Sequence, residues 1–354
     1  MNQIAFFISG YCIHWDSIVI ALSAAGAVCI FLSLFLDKTA DYVAAFTITP
    51  VAIILSLFFS RILYIYGYGE IKDINFSLVW PGLAGYCFWS LMLGVHPAVS
   101  IFIAPPLTGS IPAGGYVLLG SFIGCVLAVV LTRYVCIHNQ TAVAFDCMSI
   151  AGCAGIAAGR LSSFFGISNR GKVIDSSFFS FWIQQVKNPV TGIVEDRLAT
   201  FLLQSVFAGI LFVFLLLFER KCKFRKNGDT AMLFCLFYCS SQFVLDSTRY
   251  DSMKMHSNGF ISVVQIASML TLILVVILVM TRLIGLRRLK LPFVVMCGMI
   301  LALLGCAGFM EYYVQRYSTH AGFAYGIMSL SMCGVVALTI MAYIYTRKWK
   351  GIHY

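Results

Sequence analysis

Apolar runs close to the ~20 residues that cross a bilayer recur along almost the whole chain, and they constrain the fold more than any other feature. They cover residues 17–36, 42–66, 116–134, 142–165, 199–218, 231–246, 260–280, 292–310 and 321–345. Inside hydrocarbon each backbone amide must be satisfied internally, so every run reads as a helix. Composition agrees: 60% of the 354 residues are hydrophobic and 11% are charged. The expectation is an all-α polytopic membrane protein, a bundle of about seven spans followed by two extra C-terminal spans. The stretch 78–106 is also apolar, but Pro81, Gly82, Gly85, His96-Pro97 and Pro105-Pro106 interrupt it. It reads as a re-entrant hairpin, whose irregular backbone must be buried in protein or line a cavity.

The N-terminus lacks a basic region and the first long run ends without a small-residue cleavage site, so no cleavable signal is expected. The net charge of +10 concentrates in short loops and so reports topology and anionic lipid, with no nucleic-acid partner. Arg220, Lys221, Lys223, Arg225 and Lys226 share one loop, Arg282, Arg287, Arg288 and Lys290 another, and Arg347, Lys348 and Lys350 the tail. Placing these inside puts the N-terminus outside and the C-terminus in the cytoplasm, provided 78–106 crosses an even number of times. The outer stretch 166–197, with Phe178, Phe179, Phe181 and Trp182, is too small for a domain of its own and reads as a cap. The thirteen cysteines lie almost entirely in apolar runs, without a CxxC pair, and there is no HExxH. They read as small hydrophobes, and neither metal nor cofactor is expected.

The polar residues in or beside the spans are Asp16, Arg61, Asp146, Arg160, Gln204, Gln242, Asp246, Arg249 and Gln265. Ionisable groups at membrane depth face the bundle or a wet cavity and are candidates for function. Arg160 stands where its helix leaves hydrocarbon, among Gly152, Gly155, Ala157, Ala158 and Gly159. It either snorkels to headgroups or meets a bound anion, and the small neighbours allow close approach of backbone or ligand. Asp246 and Arg249, three residues apart, share a helix face and read as an ion pair. Asp16 reads as an interfacial cap, Asp146 as an N-terminal cap or dipole partner, and Gln204 and Gln265 as interhelical hydrogen-bond formers. His96 and His138 stand alone in loops. The pattern points to an outward-facing site for an anionic lipid headgroup.

Several stretches, in chain order, resemble motifs of the bacterial prolipoprotein diacylglyceryl transferases. GRLSSFFGISNRG at 159–171 resembles the family signature, usually near GRIGNFINGELWG. ISGYCIHWDSIVIALS resembles IGPLxIRWYGLMxxLG, SRILYI resembles ARLGYV, and GGYVLLGSFIG resembles GGMSFHGGLIG. Phe145-Asp146 falls at the family's LAD, and RLATFLLQSVFAG resembles RHPTQLYEALLEG. FYCSSQFVLDSTRYD resembles LYGxxRFxxEFxRxPD, and ISVVQIAS resembles LSMGQILS. The resemblance runs from Ile8 to Leu270 and implies a family-like membrane domain over 1–285, holding the 78–106 insertion and the 166–197 cap. Residues 286–354 would be an additional two-helix segment.

The family moves a diacylglyceryl group from phosphatidylglycerol to the lipobox cysteine of a secreted precursor. The resemblance therefore implies a bacterial cytoplasmic-membrane transferase acting on phosphatidylglycerol, or another anionic phospholipid, and on prolipoprotein signal peptides. It implies Arg160, Asp246 and Arg249 as the catalytic set, with Asp16, Arg61, Ser163, Gly171, Gln204, Gln242 and Gln265 around the substrates. Other family positions have changed. Its histidine falls at Leu119, its signature asparagine and glutamate at Ser163 and Ser168, and its first-span tyrosine at Asp16. The glutamate of QLYE falls at Gln204, and the arginine four residues before the acid at Gln242. Two alternatives stay open: a different lipid-group transfer at the same site, or a phospholipid-binding member without the chemistry.

Overall fold

The structure, a computed structural model, describes residues 4–8, 11–68, 117–135, 140–165, 169–173, 182–187, 193–222, 225–254, 260–284, 291–317 and 321–350. The 78–106 insertion, Phe178, Phe179, Phe181 and His138 lie outside the described residues. Each of the apolar runs read from the sequence is a helix. In chain order these are α1 (Trp15–Thr39), α2 (Tyr42–Tyr68), α3 (Leu118–Val135), α4 (Thr141–Arg160) and α5 (Thr200–Lys221). They continue with α6 (Asp229–Ser247), α7 (Val263–Ile284), α8 (Leu291–Arg316) and α9 (Ala321–Lys350). A 3-10 turn, Leu161–Phe164, prolongs α4.

Seven of these helices are long and apolar enough to cross a membrane, α3 and α6 being the exceptions. The chain is an all-α polytopic membrane protein in its spanning part. The apolar part of α3, Leu118–Tyr134, is shorter, and α6 is interrupted by polar residues, among them Gln242 and Asp246. Two antiparallel strand pairs add to the helices where the sequence led us to expect none. β1 (Ile4–Ile8) pairs with β2 (Tyr11–His14), and β3 (Ile183–Lys187) pairs with β4 (Val194–Leu198). Each strand is only four or five residues long, too short for its alternation to stand out beside the apolar runs.

Contacts divide the chain into two compact units, Met1–Ser168 with Gln204–Leu216 and Asn227–Ala231, and Asn169–Leu203 with Leu217–Lys226 and Met232–Tyr354. In the first unit two crossings depend on small residues four apart. Gly120 and Gly124 of α3 lie against the backbone of Ser60 and Ser56 in α2, where a Cβ would collide with main-chain atoms. The Ser60 hydroxyl donates to the Val117 carbonyl at 2.8 Å and the Ser56 hydroxyl to the Ser121 carbonyl at 3.1 Å. Gly155 and Gly159 do the same for α4 on α1: a Cβ would lie 3.0 Å from Ala27 Cβ and 3.1 Å from Ser23 Oγ respectively. Such approach replaces the hydrophobic drive that lipid cannot supply. Phe31, Phe35, Ile48, Val129, Cys147 and Ala151 fill the space among these helices.

In the second unit α9 packs along α8, with Leu303 against Gly334, where a Cβ would sit 2.9 Å from Leu303 Cδ1. Phe260 meets Tyr312 edge to face at 5.3 Å between centroids.

Candidate active site

Arg160 is the last residue of α4, half-buried, where a cation opposes the negative end of the helix dipole. The small residues before it, read as room for a backbone or a ligand, serve at Gly155 and Gly159 to bring α4 onto α1. The 3-10 turn that follows holds Ser163, 1% exposed, and Phe165 beyond it lies 6.0 Å from the Trp15 ring. Asp16 occupies the first turn of α1, where its charge suits the helix dipole, and its Oδ1 accepts the Ser17 amide at 2.8 Å; the cap position itself falls to His14, not to Asp16 as expected. Arg61, 7% exposed, lies 5.3 Å over the Tyr64 ring, a cation–π contact. Gln204 is fully buried on α5, next to Ser205, whose hydroxyl donates to the Ala157 carbonyl at 2.6 Å.

Asp146 does cap a helix start, but not that of its own helix. Fully buried on α4, it accepts the Gly228 amide at 2.7 Å and the Ala231 amide at 2.8 Å, so it caps α6. Gly228 has φ +93°, which favours glycine at that turn. The spacing of 82 residues between Asp146 and Gly228 hides this partner from local pattern.

The second unit holds the best-defined polar cluster. Arg249 lies between two carboxylates: Nη1 is 3.0 Å from Asp246 Oδ1, and Nη2 is 3.0 Å from Asp251 Oδ1. Asp246 is fully buried and its second oxygen accepts a bond from the Ser262 hydroxyl. Ser262 in turn caps α7: its Oγ accepts the Gln265 amide at 3.0 Å, while Gln265 Oε1 accepts the Ser262 amide at 2.8 Å. This reciprocal arrangement is a capping box. Gln265 Nε2 reaches the Phe243 carbonyl of α6 at 3.2 Å, the interhelical bond expected of it. Gln242, 2% exposed, stands one turn before Asp246.

Gly171 ties the signature segment to this cluster. Asn169, at φ 59°, turns the chain so that its amide donates to Asp251 Oδ2 at 2.8 Å. Residues 170–173 then run as a short extended segment between β4 and residues 248–250. The Gly171 amide donates to Leu198 O at 2.7 Å, the Lys172 amide to Thr248 O at 3.0 Å, and the Tyr250 amide to Arg170 O at 3.0 Å. A Cβ on Gly171 would lie 2.6 Å from Leu198 Cβ and 2.7 Å from Thr200 Oγ1, so only glycine fits. Arg197 forks onto Glu195 at 2.6 and 2.9 Å and lies 4.4 Å over the Tyr250 ring. Burial, and then the Arg197 charge, push the Arg170 guanidinium below its ordinary value.

Sequence reading missed Asp251, Ser262 and Asn169. The S-x-x-Q spacing of Ser262 and Gln265 before an apolar run was a legible capping-box signal. Asp251 and Asn169 lie inside the motif-like stretches FYCSSQFVLDSTRYD and GRLSSFFGISNRG, but nothing local named their partners, which are far along the chain or depend on the loop's course.

The family's sequence model for prolipoprotein diacylglyceryl transferase matches residues 3–281. The chain belongs to the prolipoprotein diacylglyceryl transferase family. Among curated relatives, a phosphatidylglycerol–prolipoprotein diacylglyceryl transferase of Clostridium botulinum (strain Langeland / NCTC 10281 / Type F) is 25% identical over 277 residues, 77% of this chain and 94% of the relative. One of the same name from Clostridium novyi (strain NT) is 24% identical over 283 residues, 79% of this chain and 95% of the relative. Leu119, where the motif resemblance puts the family's histidine, stands beside the Gly120 that contacts Ser60.

Proposed function

We propose that this protein transfers a diacylglyceryl group from phosphatidylglycerol to the thiol of a lipobox cysteine. The family match over residues 3–281 carries the reading, since it takes in Arg160, Asp246 and Arg249 together. In the reaction the sulfur forms a bond to the glyceryl carbon as that carbon's bond to phosphate oxygen breaks. Glycerol phosphate departs with the electron pair, and the thiol proton passes to water or to the departing phosphate monoester. The leaving group gathers negative charge, which fixed cations stabilise. Arg249 suits this role because two carboxylates hold its guanidinium in one orientation while 11% of its side chain stays exposed. Asp246, with both oxygens engaged by Arg249 and Ser262, serves as orienter and not as base. Arg160, at the end of α4, is the signature cation that the resemblance assigns to the lipid, and Ser163, Gly171, Gln204, Gln242, Gln265, Asp16 and Arg61 are the positions it assigns to the substrates.

The setting is the bacterial cytoplasmic membrane, with the N-terminus outside and the C-terminus in the cytoplasm. The basic loops at 220–226 and 282–290 and the basic tail support this orientation. The test is transfer of labelled phosphatidylglycerol lipid to a lipobox peptide in nanodiscs. Arg160→Ala and Arg249→Ala should each lower the rate about 10²–10³-fold, as loss of an oxyanion partner does. A second reading, a phospholipid-binding member without transfer, draws on Leu119 and Gln242, which supply neither proton nor charge. No transfer by the wild type, with retention of anionic lipid that Arg160→Ala abolishes, would establish that reading instead.

A further inference from the structure

Residues 286–354 lie beyond the family match, which ends at 281. They build α8 and α9, and polar contacts join these helices to Lys172, just after the signature segment, and to the end of α6. Glu311 of α8 is fully buried. Its Oε1 accepts Gln315 Nε2 at 2.9 Å, and its Oε2 has no hydrogen-bond partner among the described residues. A buried carboxylate in an otherwise apolar helix is costly and is kept where it serves a purpose. Gln315 Oε1 accepts the Lys172 ammonium at 3.3 Å. Burial holds Lys172 below its ordinary pKa, the Glu311 charge opposes that, and Lys254 adds to it. From α9, the Tyr325 hydroxyl donates to the Ser247 carbonyl at 3.2 Å.

Both anchors meet backbone that the site already uses. Lys172 follows Gly171, and Ser247 stands between Asp246 and Thr248, whose carbonyl accepts the Lys172 amide. The two backbones are further joined by the Gly171–Arg249 bridge. We propose that α8 and α9 are a positioning brace for the transfer. Glu311 and Gln315 act through Lys172, and Tyr325 acts through the Ser247 carbonyl. Together they fix residues 170–173 against 246–250, and hence the direction of the Arg249 guanidinium. These side chains are positioning residues. The catalytic half of the inference rests on the transferase reading, while the mechanical half does not.

The experiment uses the full chain in nanodiscs, with Glu311→Gln, which keeps shape and the bond to Gln315, and Tyr325→Phe, which removes one hydroxyl. Hydrogen exchange at the Gly171 and Lys172 amides should quicken about three- to tenfold in each variant, while α3 amides stay as they were. Adding Glu311→Gln to Lys172→Met should quicken exchange no further than Lys172→Met alone, because both act on one link. In the transfer assay kcat should fall with KM for phosphatidylglycerol unchanged. Unchanged exchange at 171–172, or an equal rise in α3, overturns the brace. Quickened exchange with kcat intact overturns its role in catalysis. If the wild type transfers nothing, the proposed function fails, and exchange still decides on the brace.

Discussion

Asp246 offers the sharpest perturbation, because its two oxygens have separate partners. One meets Arg249 Nη1 at 3.0 Å, and the other accepts the Ser262 hydroxyl. Asp246→Ala removes both, leaving Ser262 without this acceptor and Arg249 with Asp251 as its remaining carboxylate in the cluster. A hydrogen bond to a charged group contributes about 1.5–3 kcal/mol, so the loss is about 3–5 kcal/mol. Asp246→Asn keeps an acceptor for Ser262 and forfeits mainly the charge on Arg249, so it should cost about 1.5–3 kcal/mol. The two variants thus separate the two bonds. Stability would be read by thermal unfolding in detergent, and transfer by lipidation of a lipobox peptide. The orienting role proposed for Asp246 requires that Asp246→Asn retain measurable transfer, down about 10²-fold. Combined with Arg249→Met it should lose far less than the sum of the single changes, a coupling of about 1–3 kcal/mol. Equal stability of Asp246→Ala and wild type, or strict additivity with Arg249→Met, would refute the reasoning.

Other perturbations test the remaining joints. Gly171→Ala would set a methyl 2.6 Å from Leu198 Cβ, and should cost about 1–3 kcal/mol in unfolding and slow transfer. Asp146→Ala strips two amides at the start of α6 of their acceptor, and thermal unfolding should report a loss of about 2–4 kcal/mol. Gly124→Val would drive a side chain into the α2 backbone at Ser56; loss of purified, monodisperse protein is the expected readout. Burial lowers Lys172 from its ordinary 10.5, so the unfolded chain binds more protons between the two values. Lys172 therefore adds stability as pH rises through that window, and its cost is full below its folded value. Lys172→Met should flatten the rise just below pH 10.5 in pH-dependent unfolding.

The fold was legible because hydrocarbon leaves a chain few choices: each apolar run had to be a helix, and each is. Ion pairing of Asp246 with Arg249 followed from a spacing of three, and the bond from Gln265 to another helix from the scarcity of polar side chains at depth. Asp146 shows where the reading stopped. A carboxylate near a helix start suggests that helix, yet its partners are the amides of α6. The strand pair Ile183–Lys187 with Val194–Leu198 was illegible for a related reason. Its order is completed by the 171–173 segment, bonded at Gly171 and Val173, and no local pattern announces that partner.

Which retained residues speak for chemistry can be argued from their surroundings. Gly171, Asp246, Arg249 and Gln265, which the resemblance assigned to the site, are joined in one hydrogen-bonded cluster. Glycine is required at 171 by the Leu198 contact, and Gln265 by the cap of α7 and its bond to Phe243. Architecture accounts for these two, and for Asp246 through its bonds to Ser262 and Arg249, while Arg249 itself keeps 11% of its side chain exposed. Arg160 is different again: it ends α4, and a lysine there would meet the helix dipole equally well. A phosphate makes the distinction, because a guanidinium grips two of its oxygens at once and an ammonium does not. Arg160→Lys should thus fold as the wild type does and yet lose most of the transfer rate. A lysine variant as active as wild type would return Arg160 to the role of a helix-end cation.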